Sequence, residues 1–178
     1  MGEITAPEPL TPEHNTACFH CGVASLDDWL RKQALRNEVS GETRTYVVAD
    51  GDKVIGFYSF ATGRVICGKG TDAAPSRTIP VLVLSRLAVD SSWQGRGFGF
   101  GLLKDAVVRS LYVARKIDIR ALVVHTLNDQ IKKFYARYGF TELTINPMVL
   151  TLPGSEEACD KLLARQHLGR NTAAVFQQ

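Results

Sequence analysis

Between residues 80 and 125 the chain reads PVLVLSRLAV, a short polar break, QGRGFGFG, a long helical stripe and finally IRALVVH. This succession constrains the fold more than any other feature. Residues 80–89 are a near-continuous apolar run, as expected of a central strand buried on both faces. Leu103, Ala106, Val107, Ser110, Ala114 and Ile117 recur at three- and four-residue steps and predict a helix to about Lys116. Residues 119–125 predict a second buried strand. Strand, helix and strand in series need a crossover, so the two strands are parallel or part of a mixed sheet.

Upstream, Leu26, Trp29, Leu30 and Ala34 follow helical spacing behind Ser25-x-x-Asp28, a capping signature. A helix is predicted over about 25–40, ending at Gly41. Residues 45–49 and 54–61 predict a hairpin about Asp50-Gly51-Asp52. Residues 62–79, with glycines, Pro75 and the charges Arg64, Lys69, Asp72 and Arg77, read as a surface excursion. Asn128 suits the cap of a short helix with Ile131, Phe134, Tyr135 and Tyr138 on one face, and Gly139 its end. Strands are predicted at 140–144 and 148–152, then a helix at 155–167 with a frayed tail.

At 178 residues, 45 % hydrophobic and 22 % charged, the chain has the size and balance of one globular domain. No apolar run reaches the roughly 18 residues of a membrane helix, and residues 1–15 show no signal-peptide core. The expected location is the cytoplasm. A net charge of +3 is compatible with a polyanionic partner but is no footprint of a dedicated nucleic-acid binder. Cys18 and Cys21 form a CxxC, yet no second ligand pair stands at matched spacing, so no metal is expected.

Gly95, Gly97, Gly99 and Gly101 open the predicted helix. A glycine-rich turn before a helix offers an anion free N–H groups and the positive end of the helix dipole. Spacing excludes the nucleotide versions. G-x-G-x-x-G meets Phe100, Leu102 or Lys104 where its last glycine should stand, and no Gly-Lys-Ser/Thr follows. What remains is Gln94-Gly95-Arg96-Gly97-Phe98-Gly99. A turn without a ligand is the plain alternative, although a turn needs one or two glycines rather than four around an arginine.

This Q-x-x-G-x-G run, between a strand ending Leu87-Ala88-Val89-Asp90 and a long helix, resembles the pyrophosphate loop of the GNAT superfamily of acyl-CoA-dependent N-acyltransferases. The next buried strand and the short helix carrying Phe134-Tyr135-x-x-x-Gly139-Phe140 recur in the same order. The resemblance implies an α/β (α+β) fold with a central, mixed, mostly antiparallel sheet, splayed at the acetyl-CoA site and flanked by helices. It implies a single domain over residues 1–178, with about 153–178 a C-terminal extension. It also implies that main-chain groups of Leu87, Ala88 and Val89 bind pantetheine. Gln94, Gly95, Arg96, Gly97, Phe98 and Gly99 would hold the pyrophosphate, and Asn128 and Phe134 would flank the thioester. Gly101 is expected to be a close-packing helix glycine. Tyr135 stands where these enzymes protonate the leaving thiolate; it also lies on an apolar stripe, where a core tyrosine would, and Tyr138 is the fallback.

No general base stands out. His125 ends a strand, and no Asp or Glu pair stands near the motif. An α-amine of pKa about 7.7–8.0 needs little base, whereas a lysine amine near about 10.4 needs one, so the acceptor is expected to be an α-amine. The segments Phe19-His20-Cys21-Gly22, Leu26-Asp27-Asp28-Trp29-Leu30, Thr43–Val47 and Gly56–Ser59 resemble one GNAT branch, the acetyltransferase toxins of bacterial type II toxin–antitoxin modules. The likeness spans about residues 17–152. It implies acetylation of the α-amine of aminoacyl-tRNA, inhibition of translation, a ribbon-helix-helix antitoxin and a homodimer. Arg31, Lys32, Arg36 and Arg44 on the first helix and its exit, with Arg77 and Arg86, would grip tRNA phosphates. A solvated helix face would carry the same charges, but Arg86 lies inside an apolar strand and calls for a partner or a task. The alternatives are a GNAT acting on a small amine or a peptide N-terminus, and a CoA-binding module without turnover.

Overall fold

The computed structural model describes residues 2–67, 77–143, 146–154 and 175–176, with the backbone alone at Cys67, Arg77, Val175 and Phe176. In chain order the elements are β1 (Glu8–Pro9), α1 (Ala24–Lys32), α2 (Ala34–Ser40), β2 (Arg44–Asp50), β3 (Lys53–Cys67) and β4 (Arg77–Val89). Then come α3 (Phe98–Lys116), β5 (Ala121–His125), α4 (Asp129–Arg137), β6 (Thr141–Leu143), β7 (Asn146–Pro153) and β8 (Val175–Phe176). A single 3-10 turn at Ser91–Trp93 leads into the glycine loop. The helix expected at 155–167 lies outside the described residues.

The strands form one sheet in the order β1-β2-β3-β4-β5-β7-β6, with β8 also on β4. The pair β4–β5 is parallel, and the other described pairs are antiparallel. α3 is the crossover the sequence requires. Alternate residues of β3 and β4 face opposite ways. Tyr58, Leu87 and Val89 join Leu102, Leu103 and Ala106 of α3 and Ile131, Phe134 and Tyr135 of α4 in the larger core. Val47, Phe57 and Ala88 face the other way and take Leu26, Trp29, Leu30 and Ala34 of α1 and α2. Trp29 stacks on Phe57 with ring centroids 5.9 Å apart, which seats α1 on the sheet.

Three expectations are corrected. The first helix is two, broken at Gln33, whose φ of −121° leaves the helical region. The break re-aims α2, so that Glu38 accepts from the Thr45 N–H at 2.8 Å and pairs with Arg44 at 3.0 Å. The capping signature does not cap. Val23 is the N-cap with no side-chain bond, and Ser25 and Asp28 lie inside α1. In the surface excursion expected at 62–79, the described residues 62–67 and 77–79 are strand, because β3 and β4 pair in register from Thr62↔Leu82 out to Cys67↔Arg77. Gly63, a loop signal in the sequence, sits opposite Val81; a Cβ there would lie 2.9 Å from Val83 Cγ2. It is a close-approach glycine within a ribbon.

Candidate functional site

Gly97 is the N-cap of α3, at φ 89° and ψ 0°, and Gly95 is left-handed as well, at φ 74°. These two positions need glycine for their conformation. Gly99 lies within the helix and is buried. Gly97 has no side chain to cap α3, so the first turn presents N–H groups that lack intrahelical partners. A Cβ added at Gly95 or Gly97 would meet nothing within 4 Å, so the loop stands clear of the protein. The same holds at exposed Gly101, which corrects the close-packing expectation: its side of α3 faces outward. Arg96 lies 4.8 Å over the Trp93 ring, and Trp93 meets Phe98 edge-on at 5.5 Å. Helix end, free donors and a steadied guanidinium suit a pyrophosphate.

Gln94 commits its side chain elsewhere. Its Nε2 donates to Val89 O at 2.8 Å and Cys21 O at 2.9 Å, so it shapes the loop rather than facing it. Below the loop the sheet splits. β4 and β5 pair only at Leu82↔Leu122 and Val83↔Val123. Past that point β5 stays with β7, as far as His125↔Val149. The side of β4 that would face β5 is released from Leu84 onward. There Leu87 and Ala88 pair with Phe176 and Val175 of β8, while Val89 gives its carbonyl to Gln94.

Asn128 caps α4 by accepting from the Ile131 N–H at 2.9 Å. Phe134 is buried, 5.2 Å from the Tyr135 ring and 5.0 Å from that of Tyr138. Tyr135 is 1 % exposed and also packs on Phe140. Burial raises its pKa well above the usual tyrosine range, so its hydroxyl keeps its proton at any physiological pH. The same shift makes it a weaker acid, so it can give that proton only to a strong base formed beside it in the same dry surroundings. Burial raises Tyr138 too, against the opposing charge of Arg137. The Tyr138 ring lies 4.9 Å from Phe100, which joins the first turn of α3 to α4. His125 ends β5, exposed.

The six basic candidates sort by partner. Arg31 donates to Asp27 O at 3.2 Å and Ala17 O at 3.5 Å, and Arg44 pairs with Glu38, so both brace the fold. Arg36 is exposed on α2. Arg77 opens β4, and only its backbone is described. Lys32 and Arg86 meet in one cavity of about 420 Å³ between α1 and β4, lined also by Ser25, Asp28, Trp29 and Gln33. Arg86 lies 4.1 Å over the Trp29 ring, and burial lowers its pKa. No carboxylate pairs with it among the described residues, whereas Lys32 has Asp28 at 3.3 Å.

Sequence reasoning missed the brace beneath the loop. The His20 N–H donates to Asp90 Oδ2 at 2.9 Å, and Ser91 donates to His20 O from its N–H at 2.8 Å and its hydroxyl at 2.9 Å. Asp27, 1 % exposed, accepts from the Cys21 N–H at 2.8 Å and lies 2.9 Å from His20 Nδ1. Burial alone would raise the Asp27 carboxyl, but the bonds from Cys21 and His20 outweigh it and lower the pKa. Burial and the Asp27 carboxylate push the Cys21 thiol up to about 12, so the CxxC pairs a shielded thiol with an exposed one. The available signal was a carboxylate inside the apolar stripe of α1, which has to be hydrogen-bonded.

The sequence matches the Acetyltransferase (GNAT) domain over residues 41–142, from β2 into β6. It is 39 % identical over 159 residues to a tRNA-acetylating toxin of Mycobacterium tuberculosis, covering 85 % of this chain and 93 % of that protein. A probable toxin TacT of Sinorhizobium fredii is 30 % identical, covering 82 % and 89 %. Among solved structures, AtaTR bound with acetyl-CoA aligns at TM-score 0.78 and 26 % identity, over 90 % of this chain and 98 % of that one. AtaT complexed with acetyl-methionyl-tRNAfMet aligns at TM-score 0.75 and 25 % identity, over 85 % and 95 %. The glycine loop, the split sheet and the tyrosine helix all lie within these matches, and this chain belongs to the GNAT acetyltransferases.

Proposed function

We propose that this chain moves an acetyl group from acetyl-CoA to the α-amine of an aminoacyl-tRNA and so blocks translation. One observation carries the reading: an uncapped, glycine-headed helix follows the strand whose edge is released from β5. Its sequence likeness to a tRNA-acetylating toxin supports the choice of acceptor.

The residues present fit acetyl-CoA. The first N–H groups of α3, the Gly95–Gly97 turn and Arg96 hold the pyrophosphate, and the main-chain groups of Leu87, which point away from β3, meet the pantetheine amides. Bound acetyl-CoA supplies an activated acetyl thioester. Gln94 and Asn128 position the loop and α4, and Phe134 wedges Tyr135 in place. Tyr135 delivers its proton to the departing thiolate sulfur. An α-amine of pKa about 7.7–8.0 is partly unprotonated at neutral pH and attacks without a dedicated base. Lys32 and Arg86 take tRNA phosphate in their shared cavity; Arg36 and Arg77 extend the contact, and Arg31 and Arg44 act through the fold.

AtaT has been solved with the C-terminus of its antitoxin AtaR, and the AtaT–AtaR complex bound to DNA. By likeness, the partner here is a ribbon-helix-helix antitoxin, the toxin is a homodimer and the site of action is the cytoplasm. No described helix is long and apolar enough to cross a membrane. The test is labelled acetyl-CoA with a bulk charged-tRNA pool. The expected label sits on the aminoacyl amine and leaves as N-acetyl amino acid when the ester is hydrolysed. Label confined to small amines or peptide N-termini, or no label, overturns the reading.

A further inference from the structure

We infer that the released edge of β4 is a strand slot for this chain's own C-terminus, where Val175-Phe176 competes with the pantetheine arm of acetyl-CoA. The inference rests on the proposed donor site. β8 pairs antiparallel with β4, Phe176 beside Leu87 and Val175 beside Ala88. The opposite side of these residues is taken by Tyr58 and Phe57 of β3, so β8 occupies the side that β5 has left. Both ends of the slot are fixed. The Leu82↔Leu122 and Val83↔Val123 pairs close its apex, and Gln94 on Val89 O closes the end at the loop.

A buried backbone edge needs hydrogen-bonding partners, and only groups of the right chemistry satisfy it. Pantetheine carries two amides, which are chemically peptide groups, so a strand and the arm offer β4 the same donors and acceptors. They also run the same way. Antiparallel to β4, β8 travels from the loop end toward the apex, as an arm anchored at the loop must. The sequence TAAVFQQ, which contains β8, carries no charged side chain. One slot holds one occupant. Apparent acetyl-CoA affinity therefore scales with the fraction of molecules whose slot is empty.

The experiment measures acetyl-CoA binding by calorimetry on the full chain, on a Phe176→Pro variant and on a chain ending at Ala174. Proline removes the N–H and disfavours pairing without shortening the chain. Both altered chains are expected to bind acetyl-CoA about threefold to thirtyfold more tightly, the weight of one or two backbone hydrogen bonds. KM for acetyl-CoA falls by the same factor, and kcat holds. The synthetic peptide TAAVFQQ then weakens binding to the shortened chain, in competition with acetyl-CoA and not with the amine. Equal affinity in all three chains overturns the slot and leaves the donor site standing. No binding in any of them overturns the donor site, and the slot with it. A full-chain affinity that rises on dilution assigns the slot to another copy's tail and overturns the intrachain pairing.

Discussion

Replacing Arg86 with methionine separates a phosphate contact from a structural one. The guanidinium is half-buried 4.1 Å over Trp29, and no described ion pair neutralises it. Methionine keeps an apolar stem against the ring. The variant loses a cation–π contact of about 0.5–2 kcal/mol but sheds the cost of a poorly solvated charge, so net stability changes by at most about 1 kcal/mol. In a chain of this size that is a shift in melting temperature of about 2–4 °C. Substrate binding is affected much more. A charge-assisted bond to phosphate contributes about 1.5–3 kcal/mol, so KM for charged tRNA rises about ten- to hundredfold while kcat changes little. The salt dependence of KM flattens as well, by about 0.7–0.9 in log–log slope for the one phosphate released. The assay is initial-rate acetylation against charged-tRNA concentration at saturating acetyl-CoA, over a range of salt. Lys32→Gln moves in the same direction but less, since Asp28 already holds that ammonium. Unchanged KM and salt slope, or a fall of more than about 10 °C in melting temperature with tRNA and small esters equally affected, would show that Arg86 serves packing alone.

Tyr135→Phe lowers kcat by about 10²–10⁴-fold with acetyl-CoA binding intact, and its expression no longer arrests growth as the wild type does; a kcat within tenfold of wild type refutes the acid role. Because burial keeps Tyr135 protonated, kcat/KM climbs through the pKa of the acceptor amine, which the ester lowers below the free α-amine value of about 7.7–8.0, and then stays level; a decline starting below about pH 9 would contradict this. Gly97→Glu abolishes acetyl-CoA binding by setting a carboxylate at the loop. Gly97→Ala shares the strain of a left-handed φ, about 1–2 kcal/mol, and retains measurable binding; equal loss in both would point to strain rather than charge. Asp27→Asn destabilises by about 1–3 kcal/mol at pH 7. The folded Asp27 pKa is depressed, so this stabilisation is present above the unfolded value of about 3.9 and disappears as pH falls through the folded one. Urea unfolding at pH 7 and in acid should show the gap closing, and a constant gap counts against the assignment.

The crossover was legible because a helical stripe and a buried strand have different periods, and α3 and its flanking strands keep theirs cleanly. The glycine-headed start of α3 was legible because four glycines around an arginine have few structural uses. Partnership was not legible. Arg44 and Arg86 are alike as letters, yet Glu38 neutralises one and an indole ring faces the other. Gly63 was hidden for a related reason. A glycine that breaks a strand and one that admits a neighbour differ only in what stands across the pair, here Val81 and Val83, far along the chain. The break at Gln33 and the brace through His20 and Asp27 depend on where α1 lands on the sheet, and helical periodicity does not encode that.

The short contact between β4 and β5 divides the sheet into two leaves. One holds β1 to β4, the other β5, β7 and β6, and their shared spine is two parallel residue pairs under α3. Hydrogen exchange tests the division: the amides of β1 to β4 and those of β5, β6 and β7 are expected to exchange as two cooperative blocks, and a single block would show that the core they share overrides it. At the donor site proposed above, acetyl-CoA would lie between the leaves and act as a rivet. Its binding slows exchange in both blocks at once, including strands of β7 and β2 that it never touches. Catalytic occupancy is therefore readable from the breathing of the whole sheet.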